Sequence, residues 1–143
     1  MTTIAYRDGI MASDSGSWGN ATHGWAKKLA KGKDGILYGV TGNAAECDAF
    51  LSWVNSGYEG EQPVAEKEDE NCSSFCVLIA EKDKPIRYRT SRGDETYDAP
   101  YYAVGSSVAW GALYAGSTAI VAIEAAREHG SSCVGKVQTI SHD

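Results

Sequence analysis

The 143-residue chain lacks several features that mark common classes of protein. No apolar run approaches the ~20 residues that a membrane helix needs, and residues 1–8 (MTTIAYRD) have neither the basic start nor the apolar core of an export signal. No basic stripe could neutralise nucleic-acid phosphates, and no glycine-rich phosphate loop of the Walker type occurs. We therefore expect a soluble, cytoplasmic protein that binds neither membrane nor nucleic acid and does not itself hydrolyse ATP.

The four cysteines and three histidines lack the spacings of metal or nucleophile motifs. No CxxC pair occurs, and Cys72 and Cys76 are not accompanied by the further Cys or His of a zinc site. We therefore expect reduced, mostly buried thiols. No histidine groups with Asp and Ser in a nucleophile motif, so the histidines are expected to be solvated or to lie near helix ends, as His129 does.

What the chain does have is enough apolar sequence for a core. Hydrophobic residues make up 43% of it, and residues 1–143 show no repeat or linker, so we expect a single domain. The formal charge is −6, but residues 59–70 carry six acids against Lys67 alone. The acidity thus belongs mostly to one segment, which is expected to be a solvated loop.

Strands are predicted where β-prone runs are separated by turn residues. They are expected at residues 2–6, 9–12, 25–30, 36–40, 74–80, 86–90, 101–104 and 134–140. The Asp8-Gly9 pair predicts that the first two form a hairpin. Residues 15–24, rich in Ser, Gly and Asn, indicate a loop.

Two helices are predicted. Asn43 can cap the first with Glu46 three positions on, and Gly57 is placed to end it. Its buried face is expected to carry Cys47, Phe50, Leu51 and Val54. The second spans residues 107–128 and is apolar almost all round, as in a helix buried on more than one side. With hairpins in place of regular βα alternation, this order predicts an α+β fold of antiparallel sheets with helices on their outer faces.

Thr2 is the residue with the most chemical information. Removal of Met1 would leave a threonine that carries a hydroxyl nucleophile and an α-amine of pKa about 7.7 to 8.0, able to act as its base. Such a site needs a cation to lower the proton affinity of the amine, a carboxylate to hold that cation, and N–H donors for an oxyanion. Lys28, Asp14 and the Gly39 to Gly42 turn are the respective candidates.

Five spaced segments carry a family resemblance. They are residues 2–6 (TTIAY), 11–14 (MASD), 26–29 (AKKL), 38–42 (YGVTG) and 103–107 (AVGSS). Together they resemble the proteasome β-subunit family of N-terminal-nucleophile hydrolases, and most closely its bacterial branch, the HslV peptidase. The resemblance implies a four-layer αββα sandwich of two antiparallel sheets flanked by helices.

The resemblance also implies the residue roles. Thr2 would be the catalytic nucleophile, Lys28 the catalytic lysine and Asp14 the carboxylate that orients it. The N–H of Gly39 would form the oxyanion hole, and Ser106 would lie beside the terminal amine. The chemistry would require no cofactor; a structural monovalent cation is left open.

The resulting hypothesis is a threonine-type endopeptidase that degrades peptides or unfolded proteins inside a ring homo-oligomer, with an unfoldase ATPase as partner. Two alternatives stay open, namely a catalytically inactive assembly subunit and an amidohydrolase of the same architecture that acts on small amides. The sequence also departs from the family. The family's late Asp has no clear match, since Ser131 or Ser132 falls near that place, and Ser107 replaces a glycine.

Overall fold

The computed structural model describes residues 2–19, 22–70, 72–130, 133 and 135–143. Its strands and helices follow one another in the order β1 (Ile4–Arg7), β2 (Ile10–Ser13), β3 (Gly16–Gly19), β4 (Thr22–Trp25), β5 (Leu29–Lys31), β6 (Leu37–Gly42), α1 (Ala44–Asn55), β7 (Phe75–Ala80), β8 (Ile86–Thr90), β9 (Gly93–Tyr97), β10 (Tyr101–Val104), α2 (Ser107–Tyr114), α3 (Ala119–His129) and β11 (Gln138–Ser141). Across these residues, no helix is both long and apolar enough to cross a bilayer.

Two antiparallel sheets form the centre of the molecule. The first has the strand order β10-β1-β2-β11, and the second has the order β5-β6-β7-β8-β9; β3 and β4 form a separate hairpin. Helices α2 and α3 pack on the first sheet, and α1 packs on the second. The predicted α+β sandwich of two sheets flanked by helices is confirmed.

The alternation of side chains along β1 and β2 explains how the layers pack. Ala5 and Ala12 point to α2 and α3 in one apolar cluster, whereas Ile4 and Met11 point to the second sheet in another. Successive side chains of a strand face opposite ways, so small residues let the helices approach while large ones fill the space between the sheets. A third cluster, around Phe50, lies between α1 and the second sheet.

Locally encoded elements agree with their predictions. The β1–β2 hairpin turns at Asp8 and Gly9. In α1, the side chain of Asn43 accepts a hydrogen bond of 3.1 Å from the backbone N–H of Glu46, as a helix cap does. The buried residues of this helix are the predicted four, Cys47, Phe50, Leu51 and Val54.

Several predictions about strands were wrong or incomplete. The strand predicted at residues 25–30 is interrupted, since residues 26–28 lie between β4 and β5, and the strand predicted at residues 134–140 is observed, within its described part, only at Gln138–Ser141. The predicted loop at residues 15–24 carries β3 and most of β4, because antiparallel backbone pairing holds these strands together despite a turn-rich composition. Residues 93–97 form β9, which was not predicted. This strand lies at the edge of the second sheet, where charged residues are tolerated and weaken the usual apolar pattern.

The single long helix predicted near the C-terminus is two helices. The break falls at Gly116, whose φ of +102° is a backbone conformation that glycine adopts readily. Thr118 then caps α3. The guanidinium of Arg7 stabilises the break by donating hydrogen bonds of 2.7 and 2.8 Å to the carbonyls of Leu113 and Ser117.

Candidate active site

A buried ion pair lies where the two sheets meet. Asp14 directly follows β2, and Lys28 ends an irregular segment, residues 26–28, that precedes β5. Lys28 Nζ lies 3.0 Å from Asp14 Oδ1, and the two side chains are only 6% and 0% exposed. Burial of two charges costs free energy unless further hydrogen bonds stabilise them. Such hydrogen bonds surround this pair.

The start of the chain is attached to the same carboxylate. The backbone N–H of Thr3 donates a hydrogen bond of 3.1 Å to Asp14 Oδ1, and the N–H of Asp14 donates one of 3.3 Å to the carbonyl of Thr3. Thr3 is buried, and Thr2 before it is partly buried. Asp14 therefore holds both the Lys28 ammonium and the backbone one residue after the predicted nucleophile.

Gly105 and Ser106 lie against the same end of the chain. Ile4 of β1 pairs with Val104 of β10, the residue directly before Gly105. A β-carbon at Gly105 would stand 2.0 Å from the carbonyl oxygen of Thr2. Gly105 has a φ of +88°, so both its backbone conformation and this close approach require glycine. The structure thus brings Ser106 to the Thr2 segment, where its hydroxyl caps α2.

Gly39 and Gly42 direct their N–H groups to opposite sides of β6. The N–H of Val40 donates to the Lys28 carbonyl at 2.9 Å, and the N–H of Asn43 donates to the Ser74 carbonyl beside β7. Because successive residues of a strand alternate in direction, the N–H of Gly39 points to β7 and that of Gly42 points to the Lys28 side. Gly42 is therefore better oriented than Gly39 as an oxyanion donor.

Two residues beside the ion pair were not among the predicted site residues. Gln138, on the last strand, directs its side-chain amide to residues 26–28. Cys133 is buried near Asp14 and Lys28, and burial raises the pKa of its thiol. Neither has a local sequence signal, because each reaches the site through pairing or packing with distant residues. Ser131 and Ser132 lie outside the described residues.

The sandwich of two antiparallel sheets flanked by helices and the solved structures that match it define the class of fold, which is the proteasome-like N-terminal-nucleophile fold. Neither family models nor curated proteins give a match to the sequence. Solved structures do match. BPH of Thiobacillus denitrificans, in complex with epoxomicin, has a TM-score of 0.68 at 19% identity, covering 97% of this chain and 96% of its own.

Anbu, the ancestral β-subunit, of Yersinia bercovieri has a TM-score of 0.71 at 14% identity, covering 100% of this chain and 84% of its own. HslV of Trypanosoma brucei has a TM-score of 0.65 at 15% identity, covering 99% of this chain and 100% of its own. Anbu proteins of Hyphomicrobium and of Pseudomonas aeruginosa, the latter in a helical assembly, also match.

These matches correct the family resemblance. The assignment to the HslV branch was wrong, because Anbu proteins recur among the structural neighbours and the identities, 11–15% for Anbu and HslV alike, do not single out HslV. The five short segments did not distinguish one branch from another. At such identities the likeness shows the fold, and function must be argued from the site.

Proposed function

We propose that this protein is a proteasome-like hydrolase subunit that uses Thr2, freed by loss of Met1, as the nucleophile of a threonine-type endopeptidase. The observation that carries the proposal is the contact of Asp14 with both Lys28 and the Thr3 backbone. A buried carboxylate and ammonium in contact with the Thr3 backbone would supply the fixed positive charge that an N-terminal nucleophile requires.

The proposed reaction begins when the Thr2 hydroxyl oxygen attacks the carbonyl carbon of a peptide bond. The α-amine of the same residue takes the hydroxyl proton, directly or through a water, and later returns it to the leaving amine. Lys28, oriented by Asp14, disfavours a second positive charge on that amine and so keeps it available as a base. Water then hydrolyses the ester at Thr2 and restores the free hydroxyl.

The developing oxyanion needs N–H donors that are already in place. We assign this role to the N–H of Gly42, since strand alternation directs it to the Lys28 side, in preference to the Gly39 of the family resemblance. We assign to Ser106 the role of orienting the terminal amine once Met1 is gone, since it caps α2 and follows Gly105, which lies against the Thr2 carbonyl.

Substrate and assembly are finer parts of the proposal. A site built around one threonine and backbone donors has little selectivity of its own, so selectivity for peptides or unfolded protein would come from enclosure in an oligomer. The helical assembly of one matching Anbu protein supports self-association as the means. A closed ring, an unfoldase ATPase and a cytoplasmic location remain predictions.

Intact mass spectrometry after treatment with epoxomicin tests the proposal. We expect the purified protein to lack Met1 and to gain a single adduct, and we expect Thr2→Ala to gain none. Retained Met1 with no adduct would favour the inactive assembly subunit. Full peptidase activity in Thr2→Ala would contradict the proposal. Hydrolysis of small amides but not of peptides by the wild-type protein would favour an amidohydrolase.

A further inference from the structure

We propose that Gln138 is a positioning residue for Lys28, an inference that rests on the proposed function of the site. Both polar atoms of its side-chain amide bind the backbone of residues 26–28. Gln138 Oε1 accepts a hydrogen bond of 3.1 Å from the N–H of Lys28, and Gln138 Nε2 donates one of 2.6 Å to the carbonyl of Ala26.

The place of Gln138 in the first sheet links the two members of the ion pair. On β11, Gln138 pairs with Ser13 of β2, the residue directly before Asp14. Its backbone is therefore fixed to the strand that presents the carboxylate, while its side chain holds the segment that presents the ammonium. One residue thus connects the Asp14 and Lys28 backbones across the two sheets.

The irregular backbone at residues 26–28 explains why such a contact matters. These residues lie between β4 and β5 and belong to neither strand. On the second sheet's side, the Lys28 carbonyl accepts from the N–H of Val40 at 2.9 Å. Gln138 holds the opposite side, so Lys28 is attached through both its N–H and its carbonyl while its Nζ lies 3.0 Å from Asp14.

An amide is the side chain that this arrangement needs. It accepts from one backbone group and donates to another two residues away, as a neighbouring strand would. A glutamate could accept from the Lys28 N–H but could not donate to the Ala26 carbonyl, and a methionine of similar length could do neither. Loss of the amide would leave part-buried backbone groups without these partners and let Lys28 shift from Asp14.

Amide hydrogen exchange, followed by NMR on the full chain, measures the contact independently of activity. In Gln138→Met we expect the Lys28 N–H to exchange at least about tenfold faster while the Val40 N–H keeps its protection. Gln138→Glu keeps an oxygen that can accept from the Lys28 N–H, so that N–H should keep most of its protection from exchange. This variant replaces Gln138→Met in the experiment if Gln138→Met does not fold. Thr139→Ala, one residue along β11 and exposed, is the matched control. Unchanged Lys28 protection in Gln138→Met would overturn the proposal.

The kinetics of inactivation by epoxomicin measure the consequence. A positioning role predicts that Gln138→Met lowers the maximal inactivation rate at least about tenfold, with the inhibitor's binding constant within about twofold of wild type. The maximal inactivation rate of Gln138→Glu should lie between those of Gln138→Met and wild type. An unchanged maximal rate despite lost Lys28 protection would refute a positioning role. If wild type forms no adduct, the proposed function fails, and the exchange experiment still decides whether Gln138 fixes Lys28.

Discussion

Replacement of Lys28 by methionine should be among the most destabilising single changes near the site. The side chain of Lys28 is 6% exposed and that of Asp14 is fully buried, so Lys28→Met leaves a carboxylate in the interior without its ammonium. Removal of one partner from a buried pair typically costs about 3–5 kcal/mol. Because Asp14 keeps the hydrogen bond from the Thr3 N–H, we expect the lower end, about 3 kcal/mol.

The neighbouring residue provides a matched control. Lys27 is exposed and lies in the same irregular segment, so Lys27→Met removes the same charge and should change stability by no more than about 0.5 kcal/mol. Urea unfolding at one fixed protomer concentration measures both variants, because self-association would otherwise alter apparent stability. For a chain of this size, the loss at Lys28 should lower the melting temperature by roughly 10 °C.

The two variants together decide whether the ion pair is buried in solution as it is in the structure. A free energy of unfolding for Lys28→Met within about 1 kcal/mol of that for Lys27→Met would refute the reasoning. A double-mutant cycle adds a second check. Asp14→Asn combined with Lys28→Met should cost less than the sum of the single changes, since the first change removes the negative charge that the Lys28 ammonium neutralises.

Two further predictions concern glycines and thiols. In thermal melts, Gly116→Ala should destabilise the protein by about 1 kcal/mol or more, because the φ of Gly116 is +102°. Gly111 lies inside α2 with open space where a β-carbon would stand, so Gly111→Ala should stabilise the protein by up to about 1 kcal/mol. Iodoacetamide at pH 8 should label the exposed Cys72 in the native protein and spare Cys47, because burial raises the pKa of the Cys47 thiol to about 12; native labelling of Cys47 would contradict the described packing.

Elements with a local signal could be predicted from the sequence. The Asp8-Gly9 hairpin and the α1 helix depend on residues no more than a few positions apart, namely a turn pair, a capping side chain and a helical spacing of apolar residues. These preferences act within one element and need no knowledge of what packs against it. The predictions agree with the structure for that reason.

Elements that depend on distant partners could not be predicted in the same way. The Ser-, Gly- and Asn-rich stretch becomes a hairpin through backbone pairing that its composition does not indicate. The break between α2 and α3 is fixed in part by Arg7, about a hundred residues away in sequence. The sequence is apolar on both sides of Gly116, so it predicted one helix across the break between α2 and α3.

The candidate site shows the same division. Asp14 and Lys28 were candidates from the chemistry that Thr2 would need and from a family resemblance, and the structure places them in contact. The amide direction of Gly42 depends on strand alternation, and the inward direction of Gln138 depends on where residues 26–28 run between the sheets. Neither is encoded in a short motif, so both required the fold.

The energetics of the buried pair favour a functional reason for its presence. Apolar residues of similar volume often replace a buried ion pair with equal or greater stability, so a buried carboxylate and ammonium are weak evidence for a stabilising role. Here the lysine is presented by an irregular segment that a glutamine amide and a strand N–H hold from two sides. Packing alone does not require the Lys28 ammonium to be held in one position. The proposed mechanism does require it, because the ammonium must act on the α-amine of Thr2. The arrangement therefore supports the proposal that Thr2 is a nucleophile, and the mass-spectrometry experiment decides between that proposal and an inactive assembly subunit.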